Sequence, residues 1–139
     1  MNWHQRFEQM AELVASWSKD PSTKVGAVVV DDRKIIRGIG FNGFPRGVDD
    51  CVERYEDRAL KYKYIVHAEP NAILNANGSL LGCTLYCTLH PCSACAALII
   101  QAGITTVICP SEVNPRWAED QKLAAQMFTE ARVQLMEIC

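Results

Sequence analysis

From residue 83 onward the chain alternates short apolar runs with longer amphipathic ones. "CTLYCTL" (83–89), "TTVIC" (105–109) and "VQLMEI" (133–138) have strand length and β-branched or aromatic content. Between them, residues 91–102 and 115–129 carry helical patterns, the first closed by Gly103. Strands separated by helices are joined by crossovers, so they lie parallel in one sheet with helices over it. Few folds satisfy that arrangement.

Upstream, "KVGAVVV" (24–30) and "KIIRGIGF" (34–41) flank "DDR", which predicts a β-hairpin. The first run is apolar at consecutive positions, so both its faces are expected to be covered. Residues 2–18 predict a helix whose stripe of Trp3, Phe7, Met10, Val14 and Trp17 packs into the core; Pro21 ends it. "NGFPRG" (42–47) is a turn-rich loop, and 48–64 a short helix with a surface excursion. A helix is expected over 69–77, stopped by Gly78. The sum is an α/β chain, a three-layer α/β/α sandwich on a five-stranded mixed sheet, with residues 1–139 forming one domain. With 49% hydrophobic residues it can bury a core.

Two stretches carry chemistry. "HAEP" (67–70) puts His67 and Glu69 two residues apart at a helix start, with Pro70 in the first turn, where a missing N–H costs little. "HPCSAC" (90–95) puts Cys92 and Cys95 three apart at another helix start, with Pro91 in its first turn. Such sulfurs share a face, and the positive end of the helix favours thiolate. Two thiolates and one imidazole suit zinc and leave a fourth position for water, the mark of a catalytic site. Glu69 projects elsewhere and is free to move protons as a general acid and base. Each motif alone is weak: Cys92 and Cys95 could be buried hydrophobes or a redox pair. A four-cysteine structural site using Cys83 and Cys87 is disfavoured, because residues four apart on a strand are separated by about 13 Å. Together, H-x-E and P-C-x-x-C form the pattern of zinc nucleobase deaminases. Cys51, Cys83, Cys87, Cys109 and Cys139 are read as packing or incidental, His4 as a surface residue, and His90 as either a loop histidine or a substrate contact.

Seven cysteines, an odd number, accompany a polar N-terminal stretch, "MNWHQRFEQM", without a signal-peptide pattern. The thiols are therefore expected to be reduced and the chain cytoplasmic. No apolar run approaches the roughly 20 residues of a membrane helix. A net charge of −2 offers no basic excess for a nucleic-acid backbone, which disfavours such a partner.

The chain resembles the deoxycytidylate (dCMP) deaminase family of the cytidine deaminase superfamily. The likeness covers nearly the whole length and rests on "SKDPSTKVGAVVV" (18–30), "GIGFNGFPRG" (38–47), "HAEPNAILNA" (67–76) and "TLHPCSACAALIIQAGI" (88–104). It implies the cytidine deaminase type of sandwich, one Zn²⁺ per chain held by His67, Cys92 and Cys95, and Glu69 as the proton shuttle. Metal-activated water would add to C4 of the cytosine, with Glu69 protonating N3 and then the departing amine. The products are dUMP and ammonia, a source of dUMP for dTMP synthesis. Asn42, Ala68 and Arg116 are the candidate substrate contacts, Asn42 by matching a family asparagine that touches the sugar. The resemblance also implies a homo-oligomer, from dimer to hexamer, and effectors dCTP and dTTP as in regulated members. Pro70 and Phe41 depart from the commoner pattern, and 48–66 lacks the extra Cys and His of two-zinc relatives. Other substrates (5-substituted dCMP, cytidine, guanine, a tRNA adenosine) stay open, as does a non-catalytic zinc-stabilised module.

Overall fold

A computed structural model describes residues 1–138; Cys139 lies outside the described residues. Helix α1 (Trp3–Ala15) starts at a reciprocal cap: Asn2 Oδ1 accepts from the Gln5 N–H while Gln5 Oε1 accepts from the Asn2 N–H. Phe7, Ala11, Val14 and Ala15 are buried, but Trp3 and Trp17 are 48% and 50% exposed, against the expected core stripe. The reason is the closeness of the crossing over strand β1 (Gly26–Val30). A Cβ at Gly26 would sit 2.0 Å from the Ala11 carbonyl oxygen, so only small residues fit the contact line. The indoles are left at the rims. Trp3 stacks on Phe7 at 5.7 Å and Trp17 stands edge-on to Phe41 at 6.3 Å.

Strand β2 (Ile36–Phe41) returns antiparallel to β1, with Ala27 opposite Gly40. In the turn, Asp31 Oδ1 accepts from the Arg33 and Ile35 N–H groups, which fixes Lys34 at φ +67°. Next comes the excursion, which holds two short helices rather than the single one expected: α2 (Val52–Glu56) and α3 (Arg58–Tyr64). Its base is closed by a pair of hydrogen bonds between Gly43 and Val66, of 3.0 and 2.8 Å.

The remaining elements are α4 (Ala68–Asn75), β3 (Thr84–Cys87), α5 (Ser93–Gln101), β4 (Thr106–Pro110), a 3₁₀ turn (Pro115–Trp117), α6 (Ala118–Glu130) and β5 (Gln134–Ile138). Boundaries fall within three residues of the sequence reading. The sheet runs β2-β1-β3-β4-β5; β1 is antiparallel to both neighbours and β3, β4 and β5 are parallel. All five residues of β1 are buried. Its two-residue period sends Val28 under α1 with Phe7, Val14, Tyr86 and Ile108, and Val29 to the other side with Leu85, Ile99, Val107 and Phe128. These are the two cores of a three-layer sandwich, α1 on one face and α4 to α6 on the other.

The edge strand β2 is not left bare. Asn71 and Asn75 of α4 donate side-chain amides to the Phe41 and Ile39 carbonyls, at 2.7 and 3.1 Å. Gly38 and Gly40 let α4 lie directly on the strand. Among the described residues no helix is long and apolar enough to cross a membrane.

Candidate active site

Two helices, α4 and α5, deliver their first residues to one place. His67 is the N-cap residue of α4, and its ring makes no capping hydrogen bond, so the imidazole is free to turn elsewhere. Cys92 is the N-cap residue of α5, which puts Pro91 just before the helix and not in its first turn; Cys92 Sγ accepts from the Cys95 N–H at 3.5 Å. His67 Nδ1 lies 3.2 Å from Cys95 Sγ and 3.6 Å from Cys92 Sγ. All three donor atoms fall within 4.8 Å of one another, and among the described residues no other group of three or more metal-ligating side chains does so.

The donor set tests well against zinc. Bonds of about 2.1 Å to nitrogen and 2.3 Å to sulfur at tetrahedral angles give N···S edges of about 3.6 Å. The spacing to Cys92 matches that value at 3.6 Å, and the spacing to Cys95 is shorter, at 3.2 Å. The charges agree. The hydrogen bond from Cys95 draws the Cys92 thiol down to about 4, helped by His67. That same bond, with burial behind it, pushes Cys95 up, and the contact with Cys92 raises His67. The packed donors thus compete for protons, which a divalent cation would displace.

Glu69, the second residue of α4, is only 4% exposed and is not one of the three donors. Burial pushes its carboxyl up to about 7, poised to hold or release a proton near neutrality. His67, Glu69 and Cys92 line a cavity of about 810 Å³. Asn42, Ala68 and Arg116 line it too, so every residue singled out as a substrate contact reaches the same space. So does His90, whose Nδ1 donates to the Pro91 carbonyl at 3.0 Å, leaving Nε2 with the lone pair in the neutral ring.

Asn42 is more constrained than its loop position suggests. It is 6% exposed; Nδ2 donates to Asp20 Oδ2 and the Thr23 carbonyl, at 3.2 and 2.9 Å, and Oδ1 accepts from the Val25 N–H at 2.8 Å. Both amide hydrogens are used in holding the 20–25 loop, which leaves one Oδ1 lone pair for a ligand.

The cavity also holds charged residues that sequence reasoning missed. Asp20 is buried and bound by Lys61 Nζ at 2.9 Å, which also donates to Ser22 Oγ at the same distance. Burial raises the Asp20 carboxyl, but the Lys61 bond and the Ser22 and Thr23 N–H groups outweigh it and hold it below the usual range. Lys61 is thereby neutralised. Arg58 and Arg116 line the same cavity without a salt bridge among the described residues. Arg116 is an expected contact, but nothing in the spacing of residues 20, 58 and 61 announces that they join it.

Comparison with known proteins gives a consistent picture. Residues 1–111 match the cytidine and deoxycytidylate deaminase zinc-binding region. The chain is 48% identical over 136 residues to an uncharacterised deaminase of Aliivibrio fischeri, covering 96% of this chain and 91% of that one. It is 45% identical over 118 residues to the deoxycytidylate deaminase of Homo sapiens, covering 81% of this chain but 66% of the relative, and it spans 55% of the probable deoxycytidylate deaminase of Caenorhabditis elegans. Among solved structures, the dCMP deaminase of cyanophage S-TIM5 in complex with dCMP and dUMP superposes with a TM-score of 0.81 at 28% identity, over 99% of both chains. A cytidine deaminase of Mycobacterium tuberculosis, 20% identical with a TM-score of 0.55 over 83% of this chain and 89% of that one, shares the fold.

Proposed function

The chain belongs to the cytidine and deoxycytidylate deaminase zinc-binding family, and from that premise we propose that it converts dCMP and water to dUMP and ammonia. The observation that carries the reading is the convergence of His67, Cys92 and Cys95 at the wall of one cavity, which His67, Cys92 and the buried Glu69 line. The relative seen with dCMP and dUMP bound supports the choice of nucleotide.

His67, Cys92 and Cys95 would hold one zinc ion per chain. When bound, the ion supplies a Lewis acid that brings the pKa of water down toward neutrality. Glu69 takes a proton from the attacking water and passes it to N3 of the base; it then takes the second proton from the hydroxyl now on C4 and gives it to the amine as the C4–N bond breaks and the C4 carbonyl forms. Ala68, fully buried at the start of α4, gives the base a small, dry wall. Asn42 accepts a sugar hydroxyl with its remaining lone pair. Arg58 and Arg116 hold the 5′-phosphate, because the third cation of the cavity is occupied by Asp20.

The reading treats residues 1–139 as one catalytic domain acting in the cytoplasm, supplying dUMP for dTMP synthesis. It extends to a homo-oligomer, dimer to hexamer, with dCTP and dTTP as effectors; the support for these is the family resemblance.

The test is ammonia release from dCMP, 5-methyl-dCMP, CMP, cytidine, deoxycytidine, guanine and a tRNA anticodon hairpin, by wild type and Glu69→Gln. The expected result is preference for dCMP, and a loss of about 10²- to 10⁴-fold in kcat for the variant with zinc retained. Preference for another substrate overturns the choice of nucleotide. Full activity in Glu69→Gln overturns the mechanism.

A further inference from the structure

The carboxylate of Asp120 reaches from the first turn of α6 to the N-terminus of α5. Its Oδ2 accepts from the Ser93 N–H at 2.9 Å and its Oδ1 from the Ser93 hydroxyl at 2.6 Å. Ser93 directly follows Cys92 and opens the helix that carries Cys95. The first N–H groups of a helix have no partner within it. In α5 two of them are taken in unusual ways: the Cys95 N–H by Cys92 Sγ, and the Ser93 N–H by a residue 27 positions away. The Cys92–Ser93 peptide plane is therefore fixed from outside, and with it the direction in which Cys92 offers its sulfur to Cys95 and His67.

We infer that Asp120 is a positioning residue for the metal site, clamping the N-terminus of α5 so that Cys92 and Cys95 are held in register, and so coupling α6 to zinc retention. This rests on the assignment of both cysteines as ligands. Asp120 lines the cavity, but each of its oxygens already accepts a hydrogen bond from Ser93, which argues for support over substrate contact. Those bonds also hold its carboxyl below the usual range, so it stays a carboxylate at neutral pH. It lies beyond the 1–111 region that matches the family.

The experiment follows zinc transfer from the loaded protein to a chelating dye at pH 7.5, with folding checked by circular dichroism. Wild type is compared with Asp120→Ala, Asp120→Asn, Ser93→Ala, the Ser93→Ala/Asp120→Ala pair and Asn2→Ala, which removes a cap from α1 instead. Asp120→Ala should release zinc about tenfold faster, as loss of a group that orients a ligand does. Asp120→Asn should restore most of the retention, since an amide can accept from the N–H and donate to the hydroxyl. The double variant should be no faster than Asp120→Ala, and Asn2→Ala should match wild type. With zinc in excess, KM for dCMP should be unchanged in Asp120→Ala. Should the alanine variant fail to fold, Ser93→Ala and Asp120→Asn carry the comparison: Ser93→Ala should release zinc measurably faster than wild type, and Asp120→Asn no slower than wild type but slower than Ser93→Ala. Wild-type release rates in all Asp120 and Ser93 variants, equal acceleration by Asn2→Ala, or a raised KM overturns the inference while leaving the metal site standing. A wild-type chain that binds no zinc overturns both.

Discussion

Replacing Gly40 by alanine should separate the two halves of the active site. A Cβ there would lie 2.2 Å from the Ala72 nitrogen, 2.6 Å from the Ala68 carbonyl oxygen and 2.7 Å from the Asn71 carbonyl carbon. All three are backbone atoms of α4, so no side-chain rotation relieves the clash. Ordinary contact begins at 3.4 Å, which requires α4 to withdraw by about 1 Å. Withdrawal stretches the Asn71 and Asn75 hydrogen bonds to β2, now 2.7 and 3.1 Å. Overpacking costs about 1–3 kcal/mol and each weakened bond up to about 1 kcal/mol, together about 1–5 kcal/mol. For a chain of this size that lowers Tm by roughly 3–20 °C. The same shift carries His67 and Glu69 away from Cys92 and Cys95, and a misplacement of about 1 Å at a reacting centre costs about 10²-fold in kcat. Gly26→Ala is the control. Its Cβ would meet α1 just as closely, 2.0 Å from the Ala11 oxygen, but α1 contributes no residue to the site. Both variants should melt early in differential scanning calorimetry; only Gly40→Ala should lose turnover per folded molecule, measured well below its Tm. If the two lose activity equally, or if Gly40→Ala stays within about twofold of wild type, the close approach of α4 to β2 does not position the chemistry.

Two further perturbations read the electrostatics. Glu8 of α1 is 8% exposed with Oε1 unpartnered, and burial, then Glu12, push its carboxyl up to about 7. Its folded pKa exceeds the unfolded one, so stability should fall as pH rises from about 4.5 through about 7, by roughly 1–2 kcal/mol after allowance for solvent screening. In urea titrations Glu8→Gln should flatten that slope and gain stability at pH 8; an unchanged slope refutes the assignment. Lys61→Met should cost about 3–5 kcal/mol at pH 7 by leaving Asp20 buried and unpaired. Asp20 is depressed in the folded chain, so the stability it contributes is present above about pH 4 and lost as pH falls through its folded value. The variant's deficit should shrink at pH 3, and a deficit that grows there sinks the account.

The order of elements was legible because it rests on local signals, and the meeting of His67 with the two cysteines because H-x-E and P-C-x-x-C together form a recognisable zinc-deaminase pattern, although 25 and 28 positions separate the partners. Strand and helix periods are written within a few residues of one another, and each motif sits at a helix start. Trp3 and Trp17 were misplaced because periodicity reports a face and not the distance to the next layer, which Gly26 sets. The Asp20–Lys61 and Ser93–Asp120 contacts join residues 41 and 27 positions apart, so only the folded chain brings them together. Asn42 read as a loop residue free for ligand, since nothing nearby in sequence shows that residues 20–25 consume its amide.

The paired hydrogen bonds between Gly43 and Val66 have an evolutionary corollary. They make the intervening segment a side-branch whose two ends stay adjacent, anchored a second time by Lys61 on Asp20. Insertions or deletions there that spare Arg58 and Lys61 leave strand register alone and change loop entropy only logarithmically. Yet the branch returns to the trunk one residue ahead of His67. New sequence grafted at this spot is tolerated by the scaffold while standing next door to the metal, an address from which lengthened descendants can acquire control over the reaction.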